Sequence, residues 1–153
     1  MSATGTLEVI AAARMLLMSD SILDAQGVFW GSAEHESDLP YVIIAVQSNV
    51  PSRGLNAPNK ARTIGLMAKS CAKESGRSAQ AIAGEMQERA VVQLTQTIGG
   101  VTAKERWNAA LAGTGWIAQT PLERSEVPAY MDNIGDVERW HLGNTFDIRI
   151  TKS

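Results

Sequence analysis

The spacing of hydrophobic and polar positions predicts two main helices. Over residues 6 to about 21, apolar residues recur at intervals of three and four, as on one stripe of an amphipathic helix that Thr4 or Thr6 can cap. The predicted stripe consists of Leu7, Ile10, Ala11, Arg14, Leu17 and Met18. Residues 78 to about 97 repeat this spacing, with Ser78 as a suitable N-cap. The stripe of this second helix consists of Ala79, Ile82, Ala83, Met86, Ala90 and Leu94.

A short third helix is predicted by its capping residues. Gly99 and Gly100 supply the positive φ that ends the preceding helix. Thr102 and Glu105 then stand three positions apart, which is the spacing of a capping box. We therefore expect a helix that begins after Thr102 and ends near Ala112.

Alternating and β-branched runs predict strands on both sides of the second helix. A brief strand over residues 28–30 precedes the continuous apolar run 41–46, which is typical of a buried strand. The prolines, glycine and asparagines of residues 47–60 predict a long connection without regular structure. A second strand over residues 61 to about 70 would complete a hairpin with a long tip.

The last third of the chain predicts further strands. Residues 116–118 are apolar, and 122–127 indicate an edge strand or extended arm. Residues 137–142 are followed by an expected turn at Gly143-Asn144, and 145–150 alternate strictly between polar and apolar side chains. These elements predict an α+β fold, with an antiparallel or mixed sheet and the two main helices packed on one face.

Length and composition indicate one globular domain over residues 1–153. The chain is 44% hydrophobic and 20% charged, with a net charge of −2, so no global positive field attracts nucleic acid or an anionic membrane. Its one cysteine, Cys71, allows no internal disulfide. Its first twenty residues lack the basic start of a secretory signal, so we expect a soluble intracellular protein without membrane contact.

Candidate chemistry is sparse. His35 and His141 lie far apart in the sequence, and neither belongs to a recognisable catalytic or metal-binding motif. Cys71 at a strand end is more typical of a small buried apolar residue than of a nucleophile. Gly113-Thr114-Gly115 lacks the strand and helix of a nucleotide-binding loop. The sequence therefore predicts no enzyme, no catalytic residues, no cofactor and no metal.

The charges are segregated along the chain. Five acidic residues lie between positions 20 and 38 without a basic one, and six basic residues lie between 53 and 77 against a single Glu74. Two solvated surfaces would account for this pattern. Alternatively, an acidic and a basic face would let copies of the chain bind head to tail, and such contacts can close into a ring.

The order of elements resembles that of the tail terminator, or tail completion, proteins of long-tailed bacteriophages. The similarity covers about residues 7–96 and, more weakly, 137–150. It rests on a leading helix, a short strand after DAQGVFWGSAEHESDLP, the strand Tyr41-Val42-Ile43-Ile44 that Leu39-Pro40 opens, a looped hairpin and a second helix. Residues 99–127 depart from the compact members of that family and are a candidate insertion.

The resemblance implies a structural virion protein of the tail neck, assembled in the host cytoplasm. Such proteins form a homo-oligomeric ring, typically of six copies, on the head-proximal end of the tail tube. The ring ends tube polymerisation and offers the surface for head-tail joining. The implied partners are further copies of the chain, the tail tube protein, the head-tail connector protein and, as a further candidate, the sheath protein; DNA only passes through the lumen.

On this interpretation the hairpin tip 47–60 contacts the tube. The candidate contact residues there are Arg53, Leu55 and Lys60. Contacts between subunits would pair an acidic loop with basic residues near Arg62 or Arg77. The acidic residues are Glu34, Glu36 and Asp38. Trp116 and Trp107 are candidates for anchoring an interface, and core packing is the alternative for at least one of them.

Three other functions remain open from the sequence. A head-tail connector adaptor or stopper also forms rings, although such adaptors are usually more helical. A small α+β enzyme or ligand-binding domain would assemble its site from residues distant in sequence. A nucleic-acid-binding module would need a continuous basic face, and only residues 53–77 approach one.

Overall fold

The structure, a computed structural model, describes residues 4–31, 40–52, 61–73, 78–134 and 137–153, with only the backbone for 133, 134 and 137. The helices are α1 (Thr6–Met18), α2 (Ser21–Gln26), α3 (Ala79–Thr95) and α4 (Ala103–Ala110). The strands are β1 (Val28–Trp30), β2 (Tyr41–Pro51), β3 (Ala61–Lys73), β4 (Trp116–Ala118), β5 (Leu122–Ile134) and β6 (Val137–Lys152).

The strands form one mixed six-stranded sheet. Its order is β1-β2-β3-β6, and the outer edge of β6 pairs with β5 along most of its length and with β4 near its end. The β1–β2 pair is parallel and the others are antiparallel. Helices α1 and α3 pack on one face, so the predicted α+β fold is confirmed.

The core lies between the helices and one face of the sheet. Along β3, Ile64, Leu66 and Ala68 are completely buried, and Phe146, Ile148 and Ile150 alternate in the same way along β6. Their alternation confirms the period-two pattern that the sequence shows in both strands. The predicted stripe of α3 also faces this core, where Ala83, Ala90 and Leu94 have no exposed surface.

The predicted stripe of α1 is wrong in part. Leu7, Ala11 and Arg14 lie on the exposed side of the helix, whereas its buried residues are Val9, Ile10, Ala12, Ala13, Leu16 and Leu17. The helix carries apolar residues on two faces, so a spacing of three and four fits either of them. Only packing against the sheet selects the buried one.

Two predictions about chain breaks are also wrong. Residues 47–51 continue β2 instead of joining the connection, because a bulge after Val46 lets the strand keep pairing with β3. No turn occurs at Gly143-Asn144, where β6 runs straight through. A Cβ on Gly143 would lie 3.2 Å from the Ala68 carbonyl oxygen and 3.3 Å from Val127 Cβ. The glycine therefore permits close approach of neighbouring strands.

The predicted capping residues cap some of the helices and not others. The hydroxyl of Thr102 accepts a hydrogen bond from the Glu105 amide at 3.2 Å, which confirms that cap. At α1 the N-cap is Gly5, with a φ of 73°, instead of Thr4 or Thr6. Ser78 is the N-cap of α3 but makes no side-chain cap hydrogen bond. Helix α2, which the sequence analysis missed, begins after Asp20, whose carboxylate accepts two backbone hydrogen bonds.

Residues 99–127 pack into the same core as the rest of the domain. Trp107 and Leu111 of the α4 region and Trp116 and Ala118 of β4 are buried among the core residues of α1 and the sheet. The predicted edge strand at 122–127 extends further, to Ile134. Whether this segment is an insertion stays a prediction. None of the helices in the described ranges is long and apolar enough to cross a membrane.

Candidate functional site

Most of the residues that the sequence nominates for contacts lie outside the described residues. These are Arg53, Leu55 and Lys60 of the tube-contact loop and Glu34, Glu36, Asp38 and Arg77 of the subunit interface. Their roles stay predictions. Arg62, Trp116 and Trp107 are the nominated residues whose surroundings the structure describes.

Arg62 belongs to a polar network on the helix side of the sheet. Its Nε donates a hydrogen bond of 2.6 Å to Asn49 Oδ1. The Asn49 amide in turn donates to Thr6 Oγ1 at 2.7 Å and to the Thr4 carbonyl at 3.0 Å. This half-buried guanidinium therefore helps to hold the start of α1 against β2 and β3. The backbone of Arg62 pairs with Pro51, near the end of the hairpin that bears the tip.

Trp116 lies in the core. Its side chain is only 3% exposed and packs beside Gly5, and its indole Nε1 is buried without a hydrogen-bond partner. Trp107 is completely buried, and its Nε1 donates to the Leu94 carbonyl at 2.9 Å. For both tryptophans the structure shows core packing, the alternative that the sequence left open. Neither ring presents enough surface to anchor an interface.

An exposed apolar surface lies at the β1 edge of the sheet. Trp30, Met15 and Leu7 are 56%, 57% and 52% exposed. Together with Ala11 and Met18 they border a shallow groove of about 300 Å³ between the outer side of α1 and β1. We call these five residues the α1–β1 surface. In the sequence, the α1–β1 surface corresponds to a second apolar stripe of α1. Because both stripes of the helix have the same spacing, periodicity alone could not show which one is buried.

The opposite edge of the sheet also exposes large apolar side chains, those of Leu122, Tyr130 and Met131 of β5. Leu122 is 64% exposed and pairs with Asp147, whereas Tyr130 and Met131 pair with His141 and Trp140, toward the other end of the strand. Adjacent residues of a strand point to opposite faces, so these three side chains do not form one continuous patch. The sequence predicted an edge strand here but did not identify these residues as candidates.

Buried polar groups occupy both faces of the β3–β6 pair. On the helix side, Gln87 of α3 accepts a hydrogen bond from Ser70 Oγ at 2.8 Å and donates to Asn144 Oδ1 at 2.7 Å and to the Ala68 carbonyl at 3.0 Å. Asn144 Nδ2 donates to Glu123 Oε1 at 2.7 Å. We call Ser70, Gln87 and Asn144 the amide cluster.

On the other face, Cys71, His141 and Asp132 form what we call the histidine cluster. His141 Nε2 lies 3.9 Å from Cys71 Sγ and 2.9 Å from Asp132 Oδ2. Tyr130 stacks on the imidazole with ring centroids 4.5 Å apart. Lys69 Nζ donates to the Tyr130 hydroxyl at 2.7 Å. The sequence placed His141 on a strand and Cys71 in a buried position, but not side by side.

The geometry of the histidine cluster does not fit a catalytic triad. In a triad the imidazole stands between nucleophile and carboxylate, whereas here one nitrogen of His141 faces both groups. Burial raises the pKa of the Cys71 thiol. Burial and the charge of Lys69 lower the pKa of His141, despite the opposing attraction of Asp132. The neutral thiol is therefore favoured over the reactive thiolate.

Metal binding has no support in the described part of the chain, where no group of three or more histidine, cysteine, aspartate or glutamate side chains is arranged to hold an ion.

No protein-family model matches this sequence, and no curated protein is significantly similar to it. The function must therefore be inferred from the surfaces of the molecule and the order of its elements.

Proposed function

We propose that this protein is a ring-forming structural component of a bacteriophage tail that caps the head-proximal end of the tail tube. The ring would end tube polymerisation and provide the surface for head-tail joining. The ring would be a homo-oligomer, typically of six copies of this chain. Its partners would be the tail tube protein, the head-tail connector protein and, as a further candidate, the sheath protein.

The observation that carries the proposal is that the two edges of one sheet both expose large apolar side chains and differ from each other. One edge carries the α1–β1 surface, and the other carries the exposed side chains of β5. A head-to-tail ring requires two different contact surfaces on each subunit, because each copy presents one to the copy before it and the other to the copy after it. Opposite edges of a sheet supply this arrangement.

The order of elements also supports the proposal. Helix α1 precedes the short strand β1, the β2–β3 hairpin follows, and α3 comes directly after the hairpin. This is the order on which the resemblance to tail terminator proteins rests. The pairing of β2 with β3 runs from Tyr41–Cys71 to Pro51–Arg62, and the proposed tube contact lies in the connection that follows Pro51.

The test is electron microscopy of phage lysates made with the gene disrupted, with tail length and head attachment scored separately. Overlong tails without heads are the expected result, because tube growth would no longer be stopped. Headless tails of normal length would instead indicate a connector adaptor or stopper. Intact virions would contradict both functions and favour a ligand-binding domain.

A further inference from the structure

A groove of about 640 Å³ runs between α3 and the β5–β6 hairpin, on the helix side of the sheet. Gly84, Glu88 and Val92 mark its length along α3, a rise of about 12 Å at 1.5 Å per residue. Its walls are largely apolar, through Val91, Val92, Pro128, Ala129 and Leu142. We call it the α3–β5 groove.

Three carboxylates surround this apolar floor. Glu88 comes from α3, and Glu123 and Glu126 come from β5. All three side chains are exposed, and none forms an ion pair with a residue that the structure describes. The groove therefore combines apolar surface with an uncompensated negative rim, and charge complementarity favours a cationic occupant.

Glu123 is held in place by the amide cluster. Its Oε1 accepts a hydrogen bond of 2.7 Å from Asn144, which is itself bonded to Gln87. Gln87 and Asn144 are each 5% exposed, so this support is part of the folded interior. An exposed glutamate usually samples many rotamers, whereas this carboxylate is oriented at the groove before any ligand arrives.

The position of the groove indicates the shape of its occupant. Helix α3 packs mainly on β3 and β6 and contacts β5 much less, and the groove lies between α3 and β5. The groove thus lies in the helical layer, beside α3 and above the outer strands. An α-helix about 10 Å across, laid beside α3, would cover this apolar floor as neighbouring helices do in α+β folds.

We propose that the α3–β5 groove binds an amphipathic helix of another protein. The apolar side of that helix contacts Val92 and Leu142, and its lysine or arginine residues pair with Glu88, Glu123 and Glu126. In helix-in-groove binding of this kind, apolar residues at intervals of three and four positions along the bound helix contact the groove. The proposal depends only on the groove and stands whether or not the protein forms a ring.

The test measures binding of synthetic helical peptides by fluorescence polarisation with the full chain. One peptide has a leucine and alanine face flanked by lysines, and a second has glutamates in place of the lysines. We expect the lysine peptide to bind and the glutamate peptide not to bind. The double variant Glu123→Gln and Glu126→Gln should weaken binding about tenfold, as expected for the loss of two exposed ion pairs.

A matched variant controls for general attraction to an acidic protein. Asp24→Asn with Glu138→Gln changes the net charge equally at exposed positions outside the groove, and binding should stay within about twofold. Amide NMR shifts on binding should centre on Gly84 and Val92. Absence of binding by the wild-type chain, equal weakening in both variants, or shifts centred elsewhere would each overturn the proposal.

Occupancy by a second copy is distinguished by sedimentation. The wild-type chain and the Glu123→Gln, Glu126→Gln variant should have the same oligomeric state. If the variant alone fails to self-associate, the groove holds another copy of this chain, and the assignment to a different protein is wrong.

Discussion

The two faces of the β3–β6 pair each carry a buried polar cluster, and the two clusters differ in how well their hydrogen bonds are satisfied. In the amide cluster, both polar atoms of the Gln87 side chain have partners, and Asn144 links it to the rim of a groove. In the histidine cluster, His141 Nδ1 and Asp132 Oδ1 are buried without a hydrogen-bond partner.

Burial alone therefore does not decide how much a polar residue contributes to stability. A satisfied amide network has no charge to lose and stabilises the fold at any pH near neutrality. A buried imidazole changes charge in the physiological range, so its contribution depends on pH. Three substitutions test whether the two clusters differ in this way.

The largest effect is expected from Gln87→Ala. The substitution leaves Ser70 and Asn144 without their shared partner inside the fold and opens a small void. Because each buried polar group without a partner costs about 1–3 kcal/mol, the free energy of unfolding should fall by about 3 kcal/mol. Urea denaturation followed by circular dichroism measures this change.

Gln80→Ala is the matched control, because Gln80 lies on the same helix and is exposed. Its free energy of unfolding should differ from that of the wild type by less than about 0.5 kcal/mol. Equal effects at both positions would show that helix propensity, and not the amide cluster, accounts for the loss.

The intermediate effect is a dependence of stability on pH through His141. Its pKa lies below the ordinary value because of burial and the charge of Lys69. The other titratable or charged groups around it are Tyr41, Cys71, Tyr130, Asp132 and Arg139. Between the folded pKa and about 6.5, the unfolded chain binds a proton that the folded chain does not.

This contribution to stability is therefore complete above about pH 6.5 and is lost as the pH falls through the folded pKa. Urea denaturation from about pH 8 to about pH 5, a range centred on the ordinary pKa of histidine near 6.5, should show that the free energy of unfolding of the wild type declines toward low pH. His141→Gln should flatten it, and His35→Gln, at the only other histidine of the sequence, should not. A slope unchanged in His141→Gln would contradict the assignment.

The smallest effect is expected from Tyr41→Phe, at the edge of the histidine cluster. The Tyr41 hydroxyl accepts a hydrogen bond of 3.2 Å from Arg139, and burial together with Cys71 raises the pKa of Tyr41 to about 12. The substitution should lower the free energy of unfolding by about 1 kcal/mol. Absorbance titration at alkaline pH should lose its step near pH 12 in this variant and keep it in Tyr130→Phe.

Several elements could be predicted from the sequence because their signals are local. The spacing of Ala83, Ala90 and Leu94 identified α3 and its buried side, and the alternation of Phe146, Ile148 and Ile150 identified the end of β6. The same reasoning failed at Gly143, where a glycine that resembles a turn serves close packing between strands. A glycine has no side chain to distinguish these uses, so only its neighbours do.

The candidate surfaces were harder to predict than the elements. The exposed stripe of α1 has the same periodicity as the buried one, and Trp30 belongs to a strand of three residues. The groove brings Val92 of α3 and Leu142 of β6 to one apolar surface. This follows from packing of segments whose residues lie 50 positions apart in the sequence, from 92 to 142.

The α+β class, the two main helices and the β2–β3 hairpin could be predicted from the sequence, because side-chain periodicity within a segment reports which face is apolar. The folded structure was needed to show that β1 runs parallel to β2, that β4 and β5 share the outer edge of β6, and that Cys71 meets His141. Strand order and register depend on packing between segments, and that packing energy belongs to no single stretch of sequence.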